Sequence, residues 1–219
     1  NSFPEHIISK ASEELEELVK IFEDFGVKVT RPEKIVNNRP YSTPHWSCPN
    51  GMYQAMPRDL LIVIGNEIIE SPLAWRSRHY EINAYRPILK NILNRGGRWS
   101  AAPRPELPDE LYEFGYTETR QGVDPEFAIN EYEPTFDAAD FIRCGRDIFA
   151  QQSNVTNEIG IQWLEKHIGS DYRVHRLKFN DSHPMHIDGS FMPLAPGQLL
   201  VNPLRVPEIP ELFKSWNIM

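Results

Sequence analysis

The sequence has only two cysteines, Cys48 and Cys144, among 219 residues. Two thiols cannot build a disulfide framework, and a reducing, cytoplasmic compartment is expected. Long apolar stretches are missing. The longest run, Leu60-Leu61-Ile62-Val63-Ile64, is strand-sized, well short of the ~20 residues that span a bilayer, so no membrane association is expected. There is no basic block either. Lys and Arg number 23 against 31 Asp and Glu, a formal charge of −8, which makes nucleic acid a poor partner. Neither GxGxxG nor GxxxxGK[ST] occurs, so nothing indicates a nucleotide-binding loop.

What remains is an ordinary globular composition, 40% hydrophobic and 25% charged, at a length that favours one domain. Ile8, Ala11, Leu15, Leu18, Ile21, Phe22 and Phe25 recur at helical steps against a glutamate-rich face, with Gly26 placed as a cap. Val27–Val29 reads as a short strand. Beyond a proline-rich stretch at 37–58, a pattern repeats. Leu60–Ile64, a Gly65-Asn66 turn and Glu67–Glu70 form a predicted hairpin, followed by a helix over 73–94 and an extended piece at 98–100. The same order returns as 137–143, Gly145-Arg146, 147–151, a helix over 157–167 and a strand over 172–179. It starts again at 185–191, Ala195-Pro196-Gly197 and 198–201, with a helix over 211–216. Strand, turn, strand, helix, strand, repeated, indicates α/β modules stacked around an axis.

Several polar residues sit where polarity is costly. Asp137 and Asp140 lie three apart in an apolar segment, which strand alternation does not place on one face. At least one is therefore aimed at something specific, unless both are turn or capping aspartates. His186 and Asp188 lie two apart, on one face of a strand. They read as an acid–base pair, as a structural pair, or with His183 as a metal site. Arg58-Asp59 at a strand entrance is either a rim ion pair or a binding carboxylate with its neighbour. Arg205, after a later strand, is either solvated or a free guanidinium.

Met56-Pro57-Arg58-Asp59, Gly65-Asn66-Glu67-Ile68-Ile69-Glu70-Ser71-Pro72, Trp75-Arg76-Ser77-Arg78, Phe136-Asp137-Ala138-Ala139-Asp140, Met185-His186-Ile187-Asp188 and Asn202-Pro203-Leu204-Arg205 together, in this order and spacing, resemble the L-arginine amidinotransferases. The resemblance implies a five-bladed α/β propeller, the pentein fold. It also implies ping-pong transfer of the amidino group of L-arginine to an acceptor amine through a covalent cysteine intermediate. His186 matches the family's general acid/base and Asp137 its carboxylate partner. Asp59 and Asp188 match the carboxylates that hold the guanidinium, and Arg205 the arginine that binds the donor's α-carboxylate. Tyr53 falls at an active-site tyrosine. Met185 and His183 line the acceptor side, where His183 departs from the asparagine of the glycine-using enzymes. That departure points to secondary-metabolite chemistry, with the saxitoxin branch first. Neither Cys48 nor Cys144 lies in the nucleophile's motif. The expectation is a fragment, one domain over 1–219, lacking the N-terminal start and the C-terminal module or modules. No cofactor or metal is expected, and no partner chain beyond a second copy. A deiminase-like guanidine hydrolase, a glycine-using enzyme and a non-catalytic arginine-binding domain are the competing readings.

Overall fold

The computed structural model describes residues 3–52, 54–117 and 126–219. The chain divides into two compact units, residues 1–33 and 34–219. In the first, helix α1 (Glu5–Asp24) forms where the apolar and glutamate periodicities coincide. It ends at Gly26, whose φ of +75° costs a residue without a side chain nothing. Val27 N–H then reaches back to Phe22 O at 2.9 Å and Gly26 N–H to Glu23 O at 2.8 Å, which satisfies carbonyls the helix end leaves open. The strand expected at Val27–Val29 is not formed. Those residues have no ladder partner among the described residues.

The second unit opens with a two-residue ladder, β1 (Tyr41–Ser42) against β2 (Ser47–Cys48). Three modules of one design follow. In the first, helix α2 (Pro57–Leu60) leads into the hairpin β3 (Leu61–Ile64) and β4 (Glu67–Glu70). Helix α3 (Arg86–Asn94) then carries the chain to β5 (Arg98–Ala101), which lies parallel to β4. In the second, a 3₁₀ turn at Ala138–Asp140 leads into β6 (Phe141–Cys144) and β7 (Asp147–Gln151), and helix α4 (Glu158–Ile168) returns the chain to β8 (Arg173–Leu177), parallel to β7. In the third, a 3₁₀ turn at Ile187–Gly189 leads into β9 (Phe191–Ala195) and β10 (Gln198–Val201), and β11 (Asn217–Ile218) lies parallel to β10.

The register repeats with the topology. The first residue of each middle strand faces the first residue of each return strand: Glu67 faces Arg98, Asp147 faces Arg173 and Gln198 faces Asn217. The first two pairs are also ion pairs, at 3.3 Å and 2.6 Å. Cores are shared between modules. Ile62, Ile64 and Ile69 of the first pack with Phe136, Ile148, Ile161 and Leu164 of the second. Phe149 of the second packs with Ile187, Phe191, Leu199 and Phe213 of the third. Burying one such ring stabilises by about 1.5–3 kcal/mol, so these aromatics lock the modules together.

Four further expected elements differ. The helix expected over 73–94 is broken into 3₁₀ turns at Arg76–Arg78 and Glu81–Tyr85 before α3. Pro87, in the first turn of α3, has no N–H to bond an upstream turn, so a helix can start there but not pass through. Asp137–Asp140 is closed by Asp140 N–H on Asp137 O at 3.0 Å rather than extended. His186–Gly189 is a turn rather than strand, with His186 at φ +57°. At the end, the helix expected over 211–216 is one 3₁₀ turn, Glu211–Phe213.

Candidate active site

The three turns that lead into the modules carry the site. Asp59 comes from α2, Asp137 caps the second module's turn, and His186 and Asp188 come from the third. Asp137 is held from both sides. Its N–H donates to Thr156 Oγ1 at 3.1 Å, its C=O accepts from Asp140, and the preceding Thr135 exchanges bonds with Asn157. Gly160 makes this approach feasible, since a Cβ there would stand 2.2 Å from Thr135 O. His186 takes a φ that non-glycine residues rarely adopt, a strain of order 1–3 kcal/mol that recurs at functional sites. Ile187, fully buried beside it, anchors the turn.

His186 Nε2 lies 3.1 Å from Asp137 Oδ2 and 3.8 Å from Asp59 Oδ1. Its Nδ1 lies 3.3 Å from Arg58 Nη2. Arginine has no lone pair to offer, so Nδ1 accepts in this contact and Nε2 carries the proton shared with Asp137. Arg58 Nη1 also approaches Asp188 Oδ2 at 3.2 Å and Asp59 Oδ1 at 3.9 Å. The Arg58–Asp59 pair is therefore part of the site rather than a rim contact. His186 and Asp188 do not pair with each other as strand geometry had suggested. Leaving the strand sends them to different partners, and Asp137 is the carboxylate on the ring.

Beneath these groups lies Arg78, buried. Its Nη1 donates to Asp59 Oδ2 at 2.9 Å and to Asp137 Oδ2 at 3.3 Å, and its Nε donates to Glu81 Oε2 at 2.9 Å. Four buried carboxylates, Asp59, Glu81, Asp137 and Asp140, stand against this one buried guanidinium. Burial pushes the Asp137 and Glu81 carboxyls up, against the pull of His186 on the first and Arg78 on both. Burial lowers His186, but the Asp137 bond and the charges of Asp59, Asp137 and Asp140 outweigh it, and the imidazole stays above its ordinary 6.5. Among the described residues, Asp59 Oδ1 and Asp137 Oδ1 are buried without a hydrogen-bond partner. The cluster holds more buried carboxylates than buried guanidinium groups, and its two remaining carboxylate oxygens are acceptors that suit N–H donors.

The other sequence candidates lie around this centre. Arg205 Nη1 pairs with Asp181 Oδ2 at 3.1 Å, and a Cβ at Gly189 would stand 3.7 Å from it, so it flanks the His186 turn. His183 is engaged elsewhere, with Nδ1 at 3.3 Å from Tyr116 Oη and 3.4 Å from Asn154 Nδ2. Met185 is partly exposed. Tyr53 lies outside the described residues. A metal shell of His183, His186 and Asp188 is not assembled. Among the described residues the group with ligand spacing is Asp59, Asp137 and His186, and Arg78 Nη1 already donates to Oδ2 of both carboxylates. The thiol of Cys48 is directed at Asn50 O, 3.1 Å away. That of Cys144 is pushed up by burial and by Asp147. Neither is a partner of His186. Sequence reasoning missed Arg78, Glu81 and Thr156. The available signal was faint: Arg78 and Glu81 stand at i and i+3, but among other polar residues such as Arg76, Ser77, His79 and Asn83.

No protein-family model matches the chain. It is 54% identical over 215 residues to the L-arginine:L-lysine amidinotransferase of Pseudomonas savastanoi pv. phaseolicola, covering 98% of this chain and 59% of that protein. It is 48% identical over 226 aligned residues to the mitochondrial glycine amidinotransferase of Xenopus laevis, covering 100% of this chain and 53% of that protein. Among solved structures, it superposes on an amidinotransferase of the saxitoxin biosynthetic pathway from Microseira wollei with a TM-score of 0.93 at 46% identity, covering 99% of this chain and 63% of the other. The chain thus spans rather more than half the length of the relatives it matches.

Proposed function

We propose that this chain, which is similar to L-arginine amidinotransferases over the stretch it spans, forms the guanidinium-handling part of an enzyme that moves the amidino group of L-arginine to an acceptor amine. The observation that carries this is Arg58. A guanidinium already stands among Asp59, His186 and Asp188, so the space accepts that planar cation and supplies its hydrogen-bond acceptors.

In this reading Asp59 and Asp188 hold the guanidinium of arginine. A cysteine thiolate, supplied by neither Cys48 nor Cys144, attacks the guanidinium carbon. The bond from that carbon to ornithine nitrogen then breaks, and His186 delivers the proton the leaving amine needs. In the second half the acceptor amine attacks, His186 takes its proton, and the carbon–sulfur bond breaks to return the thiolate. Asp137 on Nε2 fixes the ring so that Nδ1, facing the substrate space, is the atom that exchanges protons. Arg205 takes the α-carboxylate, exchanging Asp181 for substrate. Tyr53, Met185 and His183 complete the acceptor side, and His183 supports an acceptor other than glycine, in secondary-metabolite synthesis. Further modules would close the three seen here into a five-bladed ring. The compartment proposed is the cytoplasm. Among the described residues no helix is long and apolar enough to cross a membrane.

The test uses the full-length protein, this chain joined to the further modules that supply the cysteine, incubated with arginine labelled at the amidino carbon and either lysine or glycine. Label in a guanidino product together with free ornithine is the expected result. Label released without an acceptor would mean hydrolysis, and arginine binding without turnover would mean a binding domain.

A further inference from the structure

Asp140 is a fully buried carboxylate that the reaction does not use. It receives three hydrogen bonds. Gln151 Nε2 donates to Oδ1 at 2.8 Å, and Ser153 Oγ and Thr156 Oγ1 donate to Oδ2 at 2.6 Å and 2.5 Å. The Thr156 hydroxyl has one hydrogen. With that hydrogen committed to Asp140, its lone pairs face the Asp137 N–H, which donates to it at 3.1 Å. Asp140 N–H in turn closes the turn on Asp137 O. Both backbone polar groups of Asp137 are therefore set by Asp140, one directly and one through Thr156.

We propose that Asp140 is a positioning residue. Acting through the Thr156 hydroxyl, it fixes the backbone of Asp137 and so aims the carboxylate that holds His186. Only a group that accepts on both oxygens satisfies three donors at once. A carboxamide would turn its NH₂ toward at least one of them, and a reversed Thr156 hydroxyl would point its hydrogen at the Asp137 N–H. Burial pushes the Asp140 carboxyl up to about 6, against the bonds from Ser153 and Thr156, while the three donors on its two oxygens hold it as the carboxylate. The catalytic consequence rests on the amidinotransferase reading, but the geometry does not.

The experiment follows the His186 ring by NMR titration without arginine in Asp140→Asn, Thr156→Val and Thr156→Ser, with unfolding curves run on each. The ring is faced by Asp137, Asp59 and Arg58, and it feels the charge of Asp140. Thr156→Val changes no charge, so it isolates positioning. Its ring pKa should fall by about 0.5–1 unit as the Asp137 bond loosens, while Thr156→Ser keeps the wild-type value. Asp140→Asn should fall at least as far. If Asp140→Asn does not fold, the Thr156 pair decides alone. A wild-type ring pKa in Thr156→Val, or an equal fall in Thr156→Ser, overturns the proposal. In turnover by the full-length protein that also supplies the cysteine, Thr156→Val should lower kcat about tenfold or more with KM for arginine unchanged, and a rise in KM with kcat intact would also overturn it. Wild-type protein that neither binds nor processes arginine would defeat the functional reading and leave the ring titration to settle the role of Asp140.

Discussion

Arg58 Nη2 lies 3.3 Å from His186 Nδ1, which leaves no room for a proton on that nitrogen while the contact holds. Protonation of His186 and withdrawal of Arg58 are therefore coupled, and so are Arg58 and any guanidinium that seeks the same acceptors.

Replacing Arg58 by alanine should then tighten arginine binding. The side chain is about half exposed and pairs with Asp188 at 3.2 Å, so the competing contact is of the strength of a surface ion pair, ~0.2–1 kcal/mol. Its loss corresponds to a gain of about 1.5- to 5-fold in affinity. Calorimetric titration of arginine into wild type and Arg58→Ala measures this. Weaker binding in the variant would mean that Arg58 helps to hold the substrate instead of standing in its place.

Arg78 should behave in the opposite way. It is the sole buried cation described among Asp59, Glu81 and Asp137, and removing one partner of such a group leaves uncompensated buried charge, at a cost of about 3–5 kcal/mol. Arg78→Met, close in volume, should lower stability by that amount in urea unfolding, with little relief from added salt because the charges are buried. A loss below about 1 kcal/mol would show that the carboxylates take up protons cheaply and that Arg78 is not what fixes them.

The repeat was legible in the sequence because each module carries the same punctuation: an apolar strand, a turn with glycine and a second strand. Gly65, Gly145 and Gly197 all adopt positive φ at those turns. The segments leading into the modules were only half legible: the turn or cap left open for Asp137 and Asp140 is what forms, but both segments were expected to be extended. Phe136–Phe141 and Met185–Phe191 are apolar enough to read as strand, and only the Asp140 N–H bond to Asp137 O and the unusual φ of His186 show otherwise. That difference changes chemistry, because on a strand His186 would have faced Asp188. Arg78 stayed hidden for another reason. Its role depends on contacts 19 and 59 residues away, and no local pattern encodes them.

His186 also makes stability depend on pH, with a sign that follows from its raised pKa. Below its ordinary value of about 6.5 the ring is charged folded or unfolded, and its pairing with Asp137 contributes fully. As pH rises past that value the unfolded chain gives up the proton first, and the contribution is lost as pH climbs through the higher folded value. The stability difference between wild type and His186→Asn should therefore shrink as pH rises above about 6.5 in urea unfolding. A difference that grows over this interval would contradict the pairing.

Asp59 and Asp188 are expected to share one task under unequal constraints. Asp59 is buried, with Oδ2 held by Arg78 and Oδ1 unpartnered, whereas Asp188 is partly exposed and meets only Arg58 in the site. Each change to asparagine keeps the shape and removes a charge-assisted bond to the guanidinium, a loss of about 1.5–3 kcal/mol in arginine binding. Asp59→Asn should lie at the upper end, since water screens Asp188 more. It should also cost stability, because Arg78 keeps its charge and loses a carboxylate. Asp188→Asn should weaken arginine with stability unchanged, and by less than the Asp59 change because it also frees Arg58 from a partner. Arginine titration alongside urea unfolding on both variants separates the two. Equal stability in both would mean that Asp59 and Arg78 are not coupled in the folded protein. Unchanged arginine affinity in Asp59→Asn would remove that residue from the binding site.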